Sequence, residues 1–297
     1  MNVDVSIIIV NYHTSCQVRD CVESVHKYSS GFSYELIIVD NASEPELKEL
    51  YATDPEVKVV CLDENVGFGR ANNAGFEVAR GRYLFCLNPD TILLNNAIGI
   101  LVRFMDEHPE VSACGGNLFN TDMQPTLSFR RQLPGFKWEI NEFLNLKPEK
   151  RKYGSNRIFN NSGRPFEVGY ITGADLMLRR DVVEKVGGFD PHFFMYYEET
   201  DLCSRIRKAG GKIFSVPEAR IQHLEGGSFE KGESISLSRV ERSEAGRRVY
   251  YQLNFNWLYR QFLNLIYLAT LASRSLLLPQ CPRRQGWRRR LKVFFSH

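Results

Sequence analysis

Residues 83–91 constrain the fold of this 297-residue chain more than any other stretch, because a strongly apolar run leads directly into Asn-Pro-Asp. An apolar run of this length, bounded by a turn signal, is typical of a strand buried on both faces of a sheet. Pro89 has no backbone N–H to give to a neighbouring strand, so the strand is expected to end before it. Asp90 is therefore predicted at the carboxyl end of a central strand, the edge where open α/β sheets bind ligands.

Strands and helices are predicted to alternate over the first ninety residues. Apolar runs at residues 5–10, 36–39 and 57–62 are typical of strands, and helical periodicity appears between them. Thr14 and Gln17 have the spacing of a capping box at the start of the first helix. This order predicts an α/β fold with a Rossmann-like, mostly parallel central sheet flanked by helices.

The second half of the chain is less regular. Residues 118–166 are polar, rich in Arg and Lys, and poorly periodic, which predicts a long irregular excursion over the active face. Residues 167–178 are expected to form a strand interrupted at residues 173–174. A helix is predicted from residue 200 to 209, and a further strand at residues 212–216.

Charge and cysteine content narrow the functional classes. The net charge is only +3, and the last fifteen residues carry six basic side chains and no acid, so the body of the chain is slightly acidic. We therefore expect no nucleic-acid binding. Seven cysteines without a C-x-x-C pair, several in apolar runs such as those around Cys61, Cys86 and Cys114, indicate reduced, buried thiols. With no apparent signal peptide, the chain is expected in the cytoplasm.

The C-terminal part differs in character from the rest. Residues 246–297 are predicted to form a helical, basic extension to a main domain at residues 1–245. The apolar stretches within residues 247–278 are too short to span a bilayer. Together with the basic, aromatic tail they favour peripheral attachment at a membrane surface.

Several polar residues follow predicted strands and could carry chemistry. Asp40 could accept hydrogen bonds from a ribose hydroxyl or a base N–H, the alternative being a helix cap. The glycines of residues 65–70 precede a helix and favour phosphate, with Arg70 as a donor, although the pattern alone is weak. Asp90 could bind Mg²⁺ or Mn²⁺, or simply form a turn. His223 could be a second ligand or a phosphate donor, or could be structural.

Three acids form the remaining candidate site. Glu198, Glu199 and Asp201 stand just before a predicted helix and follow an aromatic run at residues 193–197. Apolar surroundings raise the pKa of a carboxyl towards that of a useful general base. The alternative is that the acids only complement the dipole of the helix.

Taken together and in order, these segments resemble the inverting nucleotide-sugar glycosyltransferases of the large bacterial family 2, which have the GT-A fold. The nearest branch is similar to the rhamnosyltransferases that build O-antigen and other surface polysaccharides. The resemblance covers about residues 4–250. It rests on residues 6–11, 38–43, 65–68, 87–90, 173–174, 187–190 and 197–202.

The resemblance implies roles for the residues of the donor site. Asp40 corresponds to the acid that reads the nucleotide base, with Asn11 near the same pocket, and Arg70 to a base or phosphate contact. Asn88 and Asp90 occupy the first and last positions of the D-x-D metal motif, with Asn88 in place of the first acid.

It also implies roles on the acceptor side. Glu199 stands where the family places its catalytic Asp, and is one methylene longer. Glu198 and Gly173 are expected among the residues that bind the substrates, Gly173 with its backbone near the acceptor. His223 corresponds to a histidine near the metal and pyrophosphate. Which of Glu198, Glu199 and Asp201 is the base stays open.

The expected reaction is a metal-assisted, inverting glycosyl transfer using Mg²⁺ or Mn²⁺. The donor is expected to be a nucleotide sugar, dTDP-rhamnose first, and the acceptor a glycan or lipid-linked sugar at the inner face of the membrane. The excursion at residues 118–166 is expected to close over the donor. Two alternatives stay open: a UDP-hexose or galactofuranose donor, or a non-catalytic nucleotide-sugar-binding subunit of an assembly complex.

Overall fold

The computed structural model describes residues 3–44, 46–224, 237–277 and 282–295. The strands are Val5–Asn11 (β1), Tyr34–Asp40 (β2), Val57–Cys61 (β3), Tyr83–Leu87 (β4), Thr91–Leu93 (β5), Val111–Phe119 (β6), Phe129–Arg130 (β7), Phe166–Glu167 (β8), Tyr170–Ile171 (β9), Asp175–Arg179 (β10) and Lys212–His223 (β11). The helices are Ser15–Tyr28 (α1), Glu46–Leu50 (α2), Phe68–Val78 (α3), Ala97–Glu107 (α4), Phe136–Phe143 (α5), Lys147–Tyr153 (α6), Arg180–Val186 (α7), Glu198–Lys208 (α8), Leu237–Asn254 (α9), Trp257–Leu277 (α10) and Pro282–Phe295 (α11).

The main sheet of the described residues has the strand order β3-β2-β1-β4-β10-β6-β11-β5, with β8 paired to β11. Strands β3, β2, β1 and β4 are mutually parallel. Strand β10 runs antiparallel to both β4 and β6, and β11 runs parallel to β6. Six strands thus share one direction, which confirms the predicted mostly parallel α/β sheet. Their carboxyl ends form a single edge.

The core lies on both faces of this sheet. Alternate residues of β1 divide between the faces: Ile7 and Ile9 pack with the apolar side of α1, and Ile8 and Val10 pack with residues of α3 and α8. This division follows from the two-residue period of a strand. Every side chain of β4 is buried, which confirms the expectation for the run that ends before Asn88.

The predicted capping box at the start of α1 is wrong. Thr14 makes no side-chain cap to α1, because its hydroxyl donates to Asn11 Oδ1 at 2.9 Å. The carboxylate of Glu44 instead accepts a hydrogen bond from the backbone N–H of Ser15 at 2.9 Å. The backbone N–H of Thr14, whose hydrogen bond Gln17 would accept in a capping box, donates to Asn11 Oδ1 at 3.1 Å.

The second half is more ordered than the sequence predicts. The excursion at residues 118–166 contains two helices, α5 and α6, and the strand expected at 167–178 is divided into β8, β9 and β10. The strand expected to end at 216 continues as β11 to His223, and α8 begins two residues early, at Glu198. Helix α5 escapes prediction because it buries a polar residue, Glu139, whose partners Arg247 and Tyr251 lie 108 and 112 residues away in the chain.

Among the cysteines singled out above, Cys86 and Cys114 are buried, and burial raises the pKa of both thiols. Cys61 is exposed on β3, at the edge of the sheet, so the expectation that it is buried is wrong. An edge strand leaves one side of its backbone and part of its side chains to solvent.

The C-terminal helices α9 and α10 pack against α5. The carboxyl of Glu139 in α5 accepts hydrogen bonds from Arg247 Nη2 at 2.9 Å and from the Tyr251 hydroxyl at 2.5 Å, both in α9. Helix α9 runs across residues 245 and 246, where the domain boundary is predicted. Within the part of the chain described, no helix is both long enough and apolar enough to cross a membrane.

Asp175, at the start of β10, is a fully buried carboxyl beside the carboxyl edge. Its Oδ2 accepts a hydrogen bond from the backbone N–H of Gly116 at 2.6 Å, and its Oδ1 has no hydrogen-bond partner among the described residues. Burial raises the pKa of Asp175 well above the ordinary value of 3.8, and the Gly116 N–H offsets only part of that rise.

We expect Asp175→Asn to flatten the pH dependence of stability. Because the folded chain holds the Asp175 proton more tightly than the unfolded chain, the free energy of unfolding falls as pH rises from 3.8 through the raised folded pKa. Asparagine keeps an oxygen for Gly116 and does not ionise. The variant should therefore gain stability over the wild type as pH rises. Thermal unfolding at a series of pH values measures this, and a difference in Tm that is constant with pH contradicts it.

Candidate active site

The loop after β4 places Asn88 and Asp90 at the carboxyl edge. The N–H of Asn88 donates to the Ala174 carbonyl at 3.0 Å, and the Thr91 hydroxyl donates to the Asn88 carbonyl at 2.7 Å. A turn closed in this way is locally determined, because Pro89 ends the strand and Thr91 begins β5. The loop therefore holds the Asp90 carboxyl in place relative to the sheet.

His223 reaches the same loop from 133 residues further along the chain. Strand β5 pairs antiparallel with the end of β11, which sets His223 opposite Thr91. The N–H of Leu224 donates to the Asp90 carbonyl at 2.8 Å. As a result, His223 Nε2 lies 3.3 Å from Asp90 Oδ1 and 3.4 Å from Asn88 Nδ2. The three predicted residues meet in one cluster.

This cluster supplies few protein ligands for a metal. Both Asp90 and His223 are partly exposed, with 13% and 17% of their side-chain surface accessible. Within the described ranges, no group of three or more His, Cys, Asp or Glu side chains is arranged to hold a metal ion. The Asp90 carboxylate suits either Mg²⁺ or Mn²⁺, and the His223 imidazole suits Mn²⁺, but an ion held by these two side chains would need further ligands from elsewhere.

Asp40 and Asn11 end adjacent strands and contact each other directly. Asn11 Nδ2 donates to Asp40 Oδ1 at 2.8 Å. The same carboxylate accepts the Ser43 hydroxyl at 2.7 Å and the backbone N–H groups of Ser43 and Glu44. Burial opposes the charge of Asp40, but the hydrogen bonds from Ser43, Asn11 and Glu44 outweigh it and lower the pKa. Asp40 is thus an ionised, nearly inaccessible carboxylate that shapes the loop at residues 41–44.

The loop at residues 65–70 is held on both sides. Asn41 and Asn65 share a hydrogen bond at 2.9 Å, and Asn41 Oδ1 accepts the Val66 N–H at 2.9 Å. Gly67 has φ +86°, and a side chain there would collide with the Phe194 carbonyl, so only glycine fits. Arg70 donates from Nε and Nη2 to the Pro191 carbonyl at 2.9 and 2.6 Å. That arginine therefore fixes the turn at residue 191.

The glutamate pair occupies the first turn of α8. Glu198 is 4% exposed, and its Oε2 has no hydrogen-bond partner among the described residues. Glu199 is half-buried and accepts the Thr200 hydroxyl at 3.2 Å. Asp201 is engaged elsewhere: it accepts Arg205 Nε at 2.7 Å and Asn254 Nδ2 at 3.0 Å.

The surroundings of the pair favour its protonated form. Burial raises the pKa of Glu199, against the opposing effect of the helix backbone N–H groups and Thr200. Burial raises the pKa of Glu198 well above its ordinary value, and the charge of Glu199 raises it further. The expectation that apolar company raises these pKa values is confirmed. A carboxylate in this environment binds a proton readily, as a general base must.

Packing connects the glutamate pair to the Asp90 loop. Residue 174 accepts the Asn88 N–H, and a Cβ on its neighbour Gly173 would lie 3.0 Å from the Phe68 ring. Phe68 is followed by Gly69, where a Cβ would lie 3.4 Å from the Cβ of Glu198. A chain of packing contacts therefore links the Asp90 loop, residues 173–174 and the first turn of α8.

The turn that leads into α8 was not anticipated from the sequence. Tyr196 and Tyr197 both adopt left-handed conformations, with φ +72° and +73°. Such conformations cost energy for residues other than glycine and persist only where packing imposes them. Gly246 of α9 supplies that packing, because a Cβ there would lie 2.4 Å from the Tyr196 carbonyl oxygen. A glycine within a helical pattern is the only sequence signal of this contact.

We expect Gly246→Ala to lower kcat by about 10- to 100-fold while the donor KM changes little, since the added methyl displaces the turn that carries the glutamates. Alanine is the better helix former by about 1 kcal/mol, so helix propensity acts in the opposite direction. The exposed neighbour Ala245 gives the control: Ala245→Gly weakens the same helix without touching the turn, and should keep kcat. Full turnover by Gly246→Ala would show that α9 does not position the pair.

Two family models match the chain. The model "Glycosyl transferase family 2" matches residues 6–187, which include Asp40 and Asp90. The model "N-terminal domain of galactosyltransferase" matches residues 155–226, which include Glu199 and His223. Every predicted site residue therefore falls within a matched region.

Curated relatives are named as rhamnosyltransferases. An N-acetylglucosaminyl-diphospho-decaprenol L-rhamnosyltransferase of Mycobacterium tuberculosis is 28% identical over 255 residues, 80% of this chain and 81% of the relative. Rhamnosyltransferase WbbL of Escherichia coli is 24% identical, covering 85% and 97%. The dTDP-rhamnosyl transferase RfbF of Shigella flexneri is 23% identical, covering 86% and 82%.

Solved structures share the fold. GalNAc-T7 with UDP, GalNAc and Mn²⁺ matches 99% of this chain with a TM-score of 0.66 at 16% identity, and the chain spans 56% of that protein. TarS of Staphylococcus aureus, residues 1–349, matches 99% of this chain and 80% of its own with a TM-score of 0.57 at 15% identity. The GT-A-like architecture predicted from the sequence is thus confirmed. The family model spans more than half of this chain, which therefore belongs to glycosyl transferase family 2.

Proposed function

We propose that this glycosyltransferase moves L-rhamnose from dTDP-rhamnose, with inversion, onto a lipid-linked sugar or growing polysaccharide. The observation that carries the proposal is the meeting of Asp90 and His223 at the carboxyl edge, to which packing links the first turn of α8 with its two glutamates. Relatives named for rhamnosyl transfer align over four-fifths or more of both chains, which supports the choice of sugar.

Asp90 and His223 would hold a divalent ion, Mg²⁺ or Mn²⁺, with Asn88 beside them. Their oxygen and nitrogen atoms lie 3.3 Å apart and are partly open to solvent, which suits two ligands on one ion with positions left for phosphate oxygens. Such an ion neutralises charge that develops on the leaving diphosphate. The Mn²⁺ named with GalNAc-T7 supports this assignment.

Glu199 is proposed as the general base. The acceptor hydroxyl oxygen forms a bond to the anomeric carbon on the face opposite the diphosphate, the bond to the diphosphate oxygen breaks, and the hydroxyl proton passes to Glu199. Asp201 is held by Arg205 and Asn254, and Glu198 is almost inaccessible, so Glu199 is the member of the cluster with the freest carboxyl.

The remaining predicted residues would form the donor site. Asp40 and Asn11 end adjacent strands and would shape the pocket for the nucleotide base, with Asp40 acting through the loop that it organises. Arg70 would position the turn at residue 191 beside the donor. Gly173 leaves the backbone open next to Phe68, where the acceptor would approach.

A UDP-hexose donor is the second candidate. The match of residues 155–226 to the galactosyltransferase model favours it, since this region contains the glutamates and His223. A galactofuranose donor belongs to the same alternative. A non-catalytic nucleotide-sugar-binding subunit would not need buried carboxyls of raised pKa beside an open site.

A lipid-linked acceptor would bring the enzyme to a membrane surface. We propose peripheral contact with the inner face of the cell membrane, with the protein otherwise cytoplasmic. The apolar α10 and the basic residues of α11 support this contact.

The test is a panel of nucleotide sugars with Mn²⁺ or Mg²⁺, read by thermal shift and then by product analysis. A ligand at 100 times its Kd adds about 2.7 kcal/mol to stability, which is readily detected. We expect dTDP-rhamnose to give the largest shift and to yield a product of inverted anomeric configuration. A larger shift and turnover with a UDP-sugar would select the second candidate. Binding without any transfer or donor hydrolysis would favour the non-catalytic subunit.

A further inference from the structure

Helix α10 is apolar on two opposite faces. Its inward face, which includes Leu263, Tyr267 and Leu271, is buried against the rest of the protein. A second stripe follows the helical repeat on the outward face, at residues 258, 262, 265, 269, 272 and 276, and consists only of Leu, Phe and Ala. Leu258, Leu265 and Leu276 are 73%, 66% and 70% exposed. A helix on the surface of a soluble domain normally presents polar residues to solvent.

The outward stripe continues onto α5. The Phe136 ring stacks on Phe262, with centroids 5.8 Å apart and an interplanar angle of 22°. Three turns later along α10, Arg274 donates to the Glu142 carbonyl and, at 3.0 Å, to Asn145 Oδ1. The two helices therefore run side by side in the same direction. The exposed large apolar side chains of the two helices and their ends, called here the α5–α10 face, are Phe136, Phe143, Leu144, Trp257, Leu258, Phe262, Leu265 and Leu276.

The helices adjacent to α5 and α10 carry exposed cationic side chains. Helix α6 directly follows α5, and its exposed charged residues are all basic: Lys147, Lys150, Arg151 and Lys152. Its single acid, Glu149, is buried beside Arg157. Helix α11 packs against α10, with Arg274 lying 5.0 Å from the centre of the Trp287 ring. Lys292 and Arg288 of α11 are exposed. Arg290 turns inward to the carboxyl of Glu244, so the basic tail is a packed helix and only part of its charge faces solvent.

We propose that the α5–α10 face lies flat on an anionic lipid surface, with α10 parallel to the membrane plane. Apolar side chains at the centre would enter the boundary of the acyl chains, and the cations of the adjacent helices would meet lipid phosphates. The proposal takes up the membrane contact in the proposed function and names its surface. The alternative occupant, a second copy of the chain, would meet like charges on those adjacent helices.

The test measures binding of the full chain to vesicles of phosphatidylcholine with phosphatidylglycerol, and to vesicles of phosphatidylcholine alone, by co-sedimentation without donor or acceptor. Leu258 and Leu265 are chosen because they are mostly exposed, whereas Phe262 stacks on α5. We expect Leu258→Ser/Leu265→Ser to weaken binding to the anionic vesicles by about 100-fold, roughly tenfold for each side chain. Leu50→Ser/Met123→Ser removes two exposed apolar residues elsewhere and should bind as the wild type does.

Three results would overturn the proposal. The first is that the wild type does not bind the anionic vesicles, and the second is that Leu258→Ser/Leu265→Ser binds them as tightly as the wild type. The third is that the wild type sediments as a dimer and the double variant does not. Equal Tm values of both variants and the wild type confirm that folding is intact. Donor hydrolysis in solution reports on the proposed reaction separately, so a failure of membrane binding leaves that reaction untouched.

Discussion

Replacing Glu199 with glutamine is expected to lower kcat by about 10²- to 10⁴-fold, the range that a positioned general base contributes. Glutamine keeps the size of the side chain and an oxygen to accept the Thr200 hydroxyl, so the first turn of α8 should stay in place. It cannot take up the acceptor proton. Donor binding, followed by the thermal shift with nucleotide sugar and metal, should be unchanged.

The control is Glu107→Gln, the same chemical change at an exposed position near the end of α4. It should leave both kcat and the donor-induced shift as in the wild type. Turnover near the wild-type rate in Glu199→Gln would rule out Glu199 as the base and leave Glu198. Asp201 would then be the weaker choice, since its carboxyl is held by Arg205 and Asn254.

Replacing Asp90 with alanine is expected to lower transfer by about 10²-fold or more, because the ion that we propose there would supply several kcal/mol of charge stabilisation on the leaving group. The variant should also lose the extra Tm shift that Mn²⁺ adds to nucleotide binding. The backbone of the loop should persist, since the Asn88 N–H and the Thr91 hydroxyl hold it without the Asp90 side chain.

Asp20→Ala is the matched control, because it removes an exposed acid from α1, on the surface of the same domain. It should keep the response to Mn²⁺ in full. An Asp90→Ala enzyme that is active and still activated by Mn²⁺ would remove Asp90 from the metal site. Loss of activity with an unchanged Mn²⁺ response would instead give Asp90 a role without metal.

Local patterns predicted where several polar residues of the candidate site lie. The apolar runs that became β1, β2 and β4 each end at a polar residue that the structure places at the carboxyl edge: Asn11, Asp40 and Asn88. Periodicity and turn residues suffice there, because each feature depends on neighbours a few positions away. The raised pKa of Glu199 was likewise foreseeable from the aromatic residues that precede it.

The excursion at residues 118–166 shows where such reasoning fails. Its polar composition predicted an irregular segment, but α5 forms because Glu139 meets Arg247 and Tyr251, 108 and 112 residues away. The same contacts fix α5 against the C-terminal helices. Closure of this segment over a bound donor stays a prediction, and any such motion would have to involve the part outside α5.

The sequence by itself determined the strand-ending polar residues, the acidic first turn of α8 and the apolar character of α10, because these are written in runs and spacings along the chain. Only the tertiary structure decided that β10 runs antiparallel between β4 and β6, that Gly246 presses on the Tyr196 turn, and which face of α10 is left to solvent. Those outcomes depend on which distant surfaces pack together. Local periodicity reports the character of a face and carries no information about its partner.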